Sequence, residues 1–344
     1  MKLPKRTSQA APPMIRSSVL RPILSCFNSN PGKQRSLLKI VGLPSKLTTD
    51  PYASIPLRIY LNLFEAASVA ADDFLLGSKI GFAIRPGDLG PIGLLMAQAG
   101  TIARGLQVFT RFVSALQTST TILIDHFDEV LVWSYHIEAL TDSPKRQDSE
   151  FTLACICGLI RSSFDSKWRP VEIHFEHSSN GFQQELEKRF GAPIKFNQSM
   201  NRLILRKDQA RQHFRNEDLD LITIMERHLN DLMTHDKHGS TMVDQVRLMV
   251  RSCLGVRPIN LLDIAAGLQI LPRTLQRRLV SEGTSFRELL IQERMSLANI
   301  MLNQEKASIS VIAAALGYAD STVFWRAYKE YHGVPPSASR HAQS

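Results

Sequence analysis

The chain has 344 residues, of which 44% are hydrophobic and 21% are charged, a composition typical of a globular protein long enough for two domains. The sequence contains no run of 18 apolar residues, and its N-terminus lacks the apolar core of a secretory signal, which argues against membrane insertion or export. The four cysteines form no CxxC pair, so we expect no zinc site, and their pattern suits a reducing compartment. We therefore expect a cytoplasmic protein without a cofactor.

The net charge of +9 is unevenly distributed. Residues 1–50 carry nine lysines and arginines against one acidic residue, whereas residues 241–344 carry 12 against 8. A basic excess is common in nucleic-acid-binding proteins, but most of this excess lies at the N-terminus, so charge alone is weak evidence for such binding. We predict that residues 1–17, which are basic and contain prolines and serines, form a disordered tail.

Residues 18–215 alternate between helical and extended patterns. Residues 56–70 and 101–116 have apolar positions at helical spacing, and Thr101 is a suitable N-cap for the second helix. Residues 120–137 have the pattern of a two-stranded hairpin. The alternation of elements predicts a mixed α+β domain.

Signals for catalysis or metal binding are weak in this region. The segment GDLGPIG (87–93) lacks the GxGxxG spacing of a dinucleotide site. His174 and His177 flank Glu176 on a predicted strand, but a metal site there would need a third ligand, and exposed polar side chains are the simpler expectation. We predict that the protein is not an enzyme; an enzyme acting on a metabolite is the alternative that turnover and a bound metal would support.

Residues 216–258 are predicted to form a helical linker. They contain two amphipathic segments, 217–235 and 241–255, separated by the helix-breaking sequence DKHGS. These helices could pair between subunits, or their apolar faces could pack on their own domains.

An internal repeat occupies the C-terminal region. The segment IAAGL (264–268) matches IAAAL (312–316) at an offset of 48, and the offset becomes 49 after a turn. Each copy has the pattern of two helices joined by a short turn, with Pro272 at the start of one second helix and Asp320 as the N-cap of the other. Such helix-turn-helix units place their second helix in the major groove of DNA.

A long helix is predicted between the two copies. Residues 285–304 have apolar positions near the 3.6-residue period without an interrupting Pro or Gly. Its length of about 28 Å is close to the spacing of about 34 Å between major-groove faces on one side of DNA. One chain could therefore read two adjacent groove segments.

Residues 256–340 resemble the DNA-binding domain of the AraC/XylS family of bacterial transcription regulators. The resemblance rests on the repeat together with the closing combination Gly-Tyr, Phe-x-Arg-x-Tyr and Gly-Val-x-Pro-Ser in GYADSTVFWRAYKEYHGVPPS. It implies an all-α domain at 259–344, made of two helix-turn-helix units joined by a long linker helix. Carried over position by position, the DNA-contacting residues are Arg273, Thr274, Gln276 and Arg277 in the first unit, and Ser321, Thr322, Trp325 and Arg326 in the second.

The chemistry of these positions suits base reading. Arginine pairs with guanine, glutamine with adenine, and Thr or Trp contacts a thymine methyl group, while hydroxyls reach phosphate oxygens. Trp325 has an alternative role, in which it covers the domain surface or meets a partner subunit. Leu271 departs from the family pattern because it stands where a Ser N-cap is usual.

Residues 18–215 resemble, more loosely, the arabinose-binding-type N-terminal domain of one branch of the same family. The similarity lies in IPLRIYLNLFEAA, in TIARGLQVFTRF and in FEHSSNGFQQELEKRFGAPIKFNQSMNRLIL. It implies effector sensing, self-association or both. We therefore expect a sequence-specific transcription regulator that binds double-stranded DNA and RNA polymerase, with a small-molecule effector and a second copy as further partners. An architectural DNA-binding protein without effector control is the alternative.

Overall fold

The computed structural model describes residues 13–341 except 49, 51, 52, 138–142, 180, 235–240, 256, 257, 269 and 303–307. The chain forms two compact units. Unit 1 comprises residues 1–194 and 201–238, and unit 2 comprises residues 195–200 and 239–344.

Unit 1 combines helices with two antiparallel sheets. Its helices are α1 (Leu20–Ser25), α2 (Pro31–Ile40), α3 (Leu57–Ala71), α4 (Leu76–Ala83), α5 (Pro91–Gln98), α6 (Ile102–Phe112), α7 (Arg146–Ser163), α8 (Gln183–Phe190), α9 (Lys207–Arg211) and α10 (Leu219–Thr234). The strands of the described chain are β1 (Met14–Arg16), β2 (Ser54–Pro56), β3 (Thr120–His126), β4 (Val130–Ile137), β5 (Glu172–His174), β6 (Ile194–Lys195) and β7 (Asn201–Arg206).

The larger sheet has the strand order β3-β4-β7-β5-β6. Strands β3 and β4 form the predicted hairpin, in which Asp125 lies opposite Val132, and β4 then pairs antiparallel with β7. The predicted N-cap of α6 is also confirmed, because the Thr101 side chain accepts a hydrogen bond from the Arg104 backbone N–H. Unit 1 is therefore the mixed α and β domain that the sequence predicts.

Residues 14–17, which were predicted to belong to a disordered tail, are ordered. Met14–Arg16 forms β1, which pairs with β2 around Ile15 and Ile55. Both isoleucines are buried, so this short apolar segment gains enough burial to stay attached despite its basic flanks. The rest of the predicted tail, residues 1–12, lies outside the described part of the chain.

Two glycines allow α4 to pack unusually close to α7. A Cβ atom at Gly77 would lie 2.2 Å from the Gln147 carbonyl oxygen, and one at Gly81 would lie 2.4 Å from the Phe151 carbonyl oxygen. These positions lie on one side of α4, so the two helix backbones meet there directly. Cys155 and Cys157 on α7 are buried, as their apolar surroundings predict.

The histidines around β5 are not the exposed polar side chains that we expected. His174 is buried and its imidazole bonds to Glu172, while Glu176 bonds to His136 Nδ1 at 2.8 Å. The strand lies inside the sheet, between β7 and β6, and this explains the burial. Among the described residues, no group of three or more His, Cys, Asp or Glu side chains could hold a metal ion.

Unit 2 is helical apart from the short segment 195–200. Its helices are α11 (Met242–Cys253), α12 (Leu261–Gly267), α13 (Pro272–Ser281), α14 (Phe286–Leu302), α15 (Ile309–Ala315), α16 (Ser321–His332) and α17 (Pro336–His341). The two helices found within the predicted linker belong to different units: α10 to unit 1 and α11 to unit 2. No helix among the described residues is long and apolar enough to cross a membrane.

Candidate nucleic-acid interface

The two halves of the internal repeat fold into equivalent helix-turn-helix units, which we call the first unit (α12 and α13) and the second unit (α15 and α16). Their turns share the same backbone hydrogen bonds. The N–H of Ile270 donates to the Ala265 carbonyl at 3.0 Å, and the N–H of Tyr318 donates to the Ala313 carbonyl at 2.9 Å. These pairs are 48 residues apart, as the sequence repeat predicts. The extra residue of the second turn, Ala319, follows them.

Both units pack on one hydrophobic core. Leu275 and Leu279 of α13 and Phe324 and Tyr328 of α16 are almost completely buried in it. The long helix α14 contributes further residues to the same cluster, including Leu289. At about 1.5 Å per residue, α14 spans about 26 Å and supports one unit at either end of its sequence.

Burial of one side of α13 leaves the predicted reading face exposed. Arg273, Gln276 and Arg277 are exposed, and Thr274 is half-buried. Because residues three and four apart share a helix face, the two arginines and the glutamine lie together, away from Leu275. The helix has no acidic residue within its bounds. The first unit thus presents a positively charged, hydrogen-bonding surface.

The α16 face has the same geometry but different chemistry. Thr322, Trp325 and Arg326 are exposed, and Ser321 is half-buried. At the offset of 49 residues, Thr322 corresponds to Arg273, Trp325 to Gln276 and Arg326 to Arg277. An open groove of about 520 Å³ brings all four predicted residues of this unit together with Ile309 and Ser310 at the start of α15.

The two reading helices begin differently. Asp320 caps α16, since its carboxylate accepts from the Val323 N–H at 2.8 Å. At α13, Pro272 occupies the first turn, and the preceding Leu271 makes no side-chain cap. The Leu271 side chain is 73% exposed, so its departure from a capping residue is not explained by burial.

A side chain from α14 supports the second turn. The guanidinium of Arg294 stacks over the Tyr318 ring, with 4.7 Å between the Arg294 Cζ and the ring centroid, and donates to the Gly317 carbonyl at 3.1 Å. Gly317 adopts a positive φ of 72° at this turn. Burial raises the pKa of the Tyr318 hydroxyl, which stays neutral at physiological pH. Arg294 therefore helps to fix the start of α16 relative to α14.

Lys329 is a residue of this surface that the sequence reasoning missed. Its ammonium nitrogen lies 5.2 Å from the centroid of the Trp325 ring, within the range of a cation–π interaction. The spacing of four residues on one helix face would have been sufficient to find it. Trp325 is 38% exposed and lies with one side against this cation.

Comparison with known families matches both parts of the chain. The family model described as the arabinose-binding domain of AraC transcription regulators, N-terminal, matches residues 32–214, which are just over half of the chain. A helix-turn-helix domain model matches residues 264–342.

Individual relatives are transcription regulators. The chain is 22% identical over 305 residues to the HTH-type transcriptional regulator VirS of Mycobacterium tuberculosis, covering 88% of this chain and 89% of that protein. It is 28% identical over 123 residues to the transcriptional activator RhrA of Rhizobium meliloti, covering 35% of this chain and 39% of RhrA. Among solved structures, the transcriptional regulator CdpR of Pseudomonas aeruginosa aligns with a TM-score of 0.45 and 20% identity, over 94% of this chain and 98% of CdpR.

Proposed function

Because the chain belongs to the AraC family of transcription regulators and is a DNA-binding regulator, we propose that it reads two adjacent major-groove segments of an operator, one with each helix-turn-helix unit. The first unit would use Arg273, Gln276 and Arg277 on bases, with Thr274 at the backbone. The second would use Ser321, Thr322, Trp325 and Arg326. In this function the chain needs no catalytic group.

The observation that carries the proposal is the matched exposure of the two faces. Residues 273, 276 and 277 on α13 and residues 322, 325 and 326 on α16 are exposed at equivalent positions, although the apolar residues beside them are buried in one core. An ordinary solvated helix would not need this duplicated arrangement. A recognition helix uses exposed residues near its N-terminus to reach base edges.

Effector control, self-association and contact with RNA polymerase are further parts of the proposal. The match of unit 1 to an arabinose-binding-type domain supports a small-molecule effector, without naming arabinose as that effector. Effector binding would shift the population of a DNA-competent arrangement, and the coupling between effector and DNA must be reciprocal.

Selection of random duplex DNA by the full chain tests the two-segment reading. We expect enriched sequences to contain two short motifs about one helical turn apart. Fluorescence anisotropy titrations of these duplexes at two salt concentrations then separate specific from general binding. A single motif would show that one unit does not read bases, and binding without enrichment that vanishes in salt would favour an architectural protein.

Arginine substitutions on α13 provide a matched control. Arg277 lies on the proposed reading face, whereas the exposed Arg278 points about 100° away around the helix. Both changes to alanine remove one positive charge from the same helix. Loss of base preference with Arg277→Ala but not with Arg278→Ala would support base reading; the same loss in both variants would contradict it.

A further inference from the structure

An open groove of about 130 Å³ lies in unit 1, on a surface that the proposed DNA contacts do not use. Its walls come from four segments: residues 16–21, residues 87–92, residues 112–116 and helix α10. All four segments lie in unit 1. The groove is therefore a feature of the domain that resembles an effector-binding module.

Most of the groove wall is apolar. Phe112 and Ile92 are almost fully buried beneath it, and Leu229 and Leu232 of α10 close one side. Leu229 is 2% exposed, whereas Leu232 is half-buried and faces the open part of the groove. An aliphatic or aromatic ligand body would lose contact with water along this wall, which is the main source of affinity for small ligands.

The polar part of the groove is cationic. Its charged lining residues are Arg16, Arg21 and Asp88. The Asp88 carboxylate is bound by Arg85, with 3.3 Å between Arg85 Nη2 and Asp88 Oδ1, so an arginine outside the lining balances its charge. Arg16 is held across the wall by a hydrogen bond from its Nε to the Ala115 carbonyl at 3.3 Å. Arg21 is exposed on α1 and is available to a ligand.

Helix α10 is anchored beside the groove by polar contacts. Glu226 pairs with Arg111 of α6 at 3.2 Å, and Glu217 Oε1 accepts from the Gly100 N–H at 2.8 Å. The helix is the last of unit 1 before the chain enters unit 2, where α11 packs into the core of the DNA-binding region. A ligand in the groove would thus touch the segment that connects the two units.

We propose that this groove binds a small organic anion with an apolar body, whose anionic group pairs with Arg21 and whose body packs against α10. The inference rests on the proposed effector responsiveness and names the chemical class and the site. An arginine that pairs with a carboxylate, sulfonate or phosphate group supplies orientation, and the leucines of α10 supply a wall that a polar metabolite would not use.

The size of the groove guides the choice of probe. Leu89 and Leu116 separate it from a smaller interior cavity of about 40 Å³, so the ligand body has limited depth. We therefore use 1-hexanesulfonate, and 1-hexanol as the matched neutral probe. Isothermal titration calorimetry of the full chain should show hexanesulfonate binding about tenfold more tightly than hexanol, because it adds one charge-assisted contact.

Three variants test the site. Arg21→Gln should remove the preference for the anion, while Arg35→Gln, which removes an exposed charge on α2 outside the groove, should retain it. Leu232→Ala should weaken the binding of both probes. Equal affinities for the two probes in the wild type, equal behaviour of the two arginine variants, or unchanged binding in Leu232→Ala would each overturn the proposal.

Operator binding without any probe is measured on the same preparations. Arg21 and Leu232 lie in unit 1, so their variants should bind the selected duplex as the wild type does. If the wild type selects no DNA sequence, the two-segment reading fails, yet the probe titrations still decide the groove assignment. The two failures are therefore distinguishable.

Discussion

The two helix-turn-helix units share a backbone but differ in what they expose. Equivalent turn hydrogen bonds 48 residues apart and one common core hold α13 and α16 in matching environments. On α13 the exposed face carries two arginines and a glutamine, whereas on α16 the same positions carry threonine, tryptophan and arginine. The buried positions set the geometry, and the exposed positions can therefore diverge without loss of fold.

This difference suggests a division of labour in DNA binding. The first unit, with no acidic residue in α13, should supply more of the salt-dependent attraction to phosphates. The second unit has an acidic N-cap and an indole on its face, and it should depend more on apolar contact with thymine methyl groups. Four predictions address the comparison, in decreasing order of expected effect.

The largest effect should come from the buried residues. Phe324→Ala should lower the free energy of unfolding of unit 2 by about 3–5 kcal/mol, and the matched change Leu275→Ala should lower it by about 2–5 kcal/mol, because each leaves a cavity in the shared core. Both side chains are 0% exposed. Urea denaturation followed by circular dichroism measures both changes. Wild-type stability of either variant would show that the core assignment of that unit is wrong.

The arginines of the two faces should contribute next. Arg277→Ala and Arg326→Ala should each weaken binding to the selected operator by about 1–3 kcal/mol and relax base preference at one position. The position affected should lie in a different motif for each variant, because the residues belong to different units. Anisotropy titrations on single-base operator variants measure this. Equal loss on every sequence would make the residue a phosphate contact.

Sequence alone predicted the geometry of unit 2 well, because its signals are local. Helical periodicity, Asp320 before a helix and the offset of 48 residues each follow from neighbouring residues. Burial of His174 and attachment of Ile15 depend on partners far along the chain, 28 residues away at Arg202 and 40 residues away at Ile55. A pattern confined to one segment does not contain such pairings. The roles of the eight predicted DNA-contacting residues stay predictions, since exposure on a face is necessary for reading bases but does not establish it.

A smaller effect should come from the helix starts. Asp320→Ala removes the α16 cap and should cost about 1 kcal/mol of stability. Leu271→Ser should add a cap to α13 and stabilise it by roughly 0.5–1 kcal/mol, because the Leu271 backbone is already extended, with φ −71° and ψ 143°, and its side chain is exposed. Thermal unfolding measures both. Destabilisation by Leu271→Ser would indicate that the exposed leucine makes a contact that the chain needs.

The smallest effect should come from Lys329, and it tests whether the α16 face is organised around Trp325. A cation–π contact at an exposed site contributes about 0.5–1 kcal/mol, so Lys329→Gln should release the indole ring and Lys329→Arg should retain it. Acrylamide quenching of tryptophan fluorescence reports this selectively, because Trp133 and Trp168 are buried and Trp325 is exposed.

We expect faster quenching in Lys329→Gln than in the wild type or Lys329→Arg. We also expect operator affinity to fall by less than about 1 kcal/mol, mainly at the positions that Trp325 contacts. If Lys329→Gln instead weakens binding equally on all sequences and leaves quenching unchanged, Lys329 is a phosphate contact and the ring is held by other means. In that case the second unit would resemble the first more closely, with a cation rather than an indole as its main link to DNA.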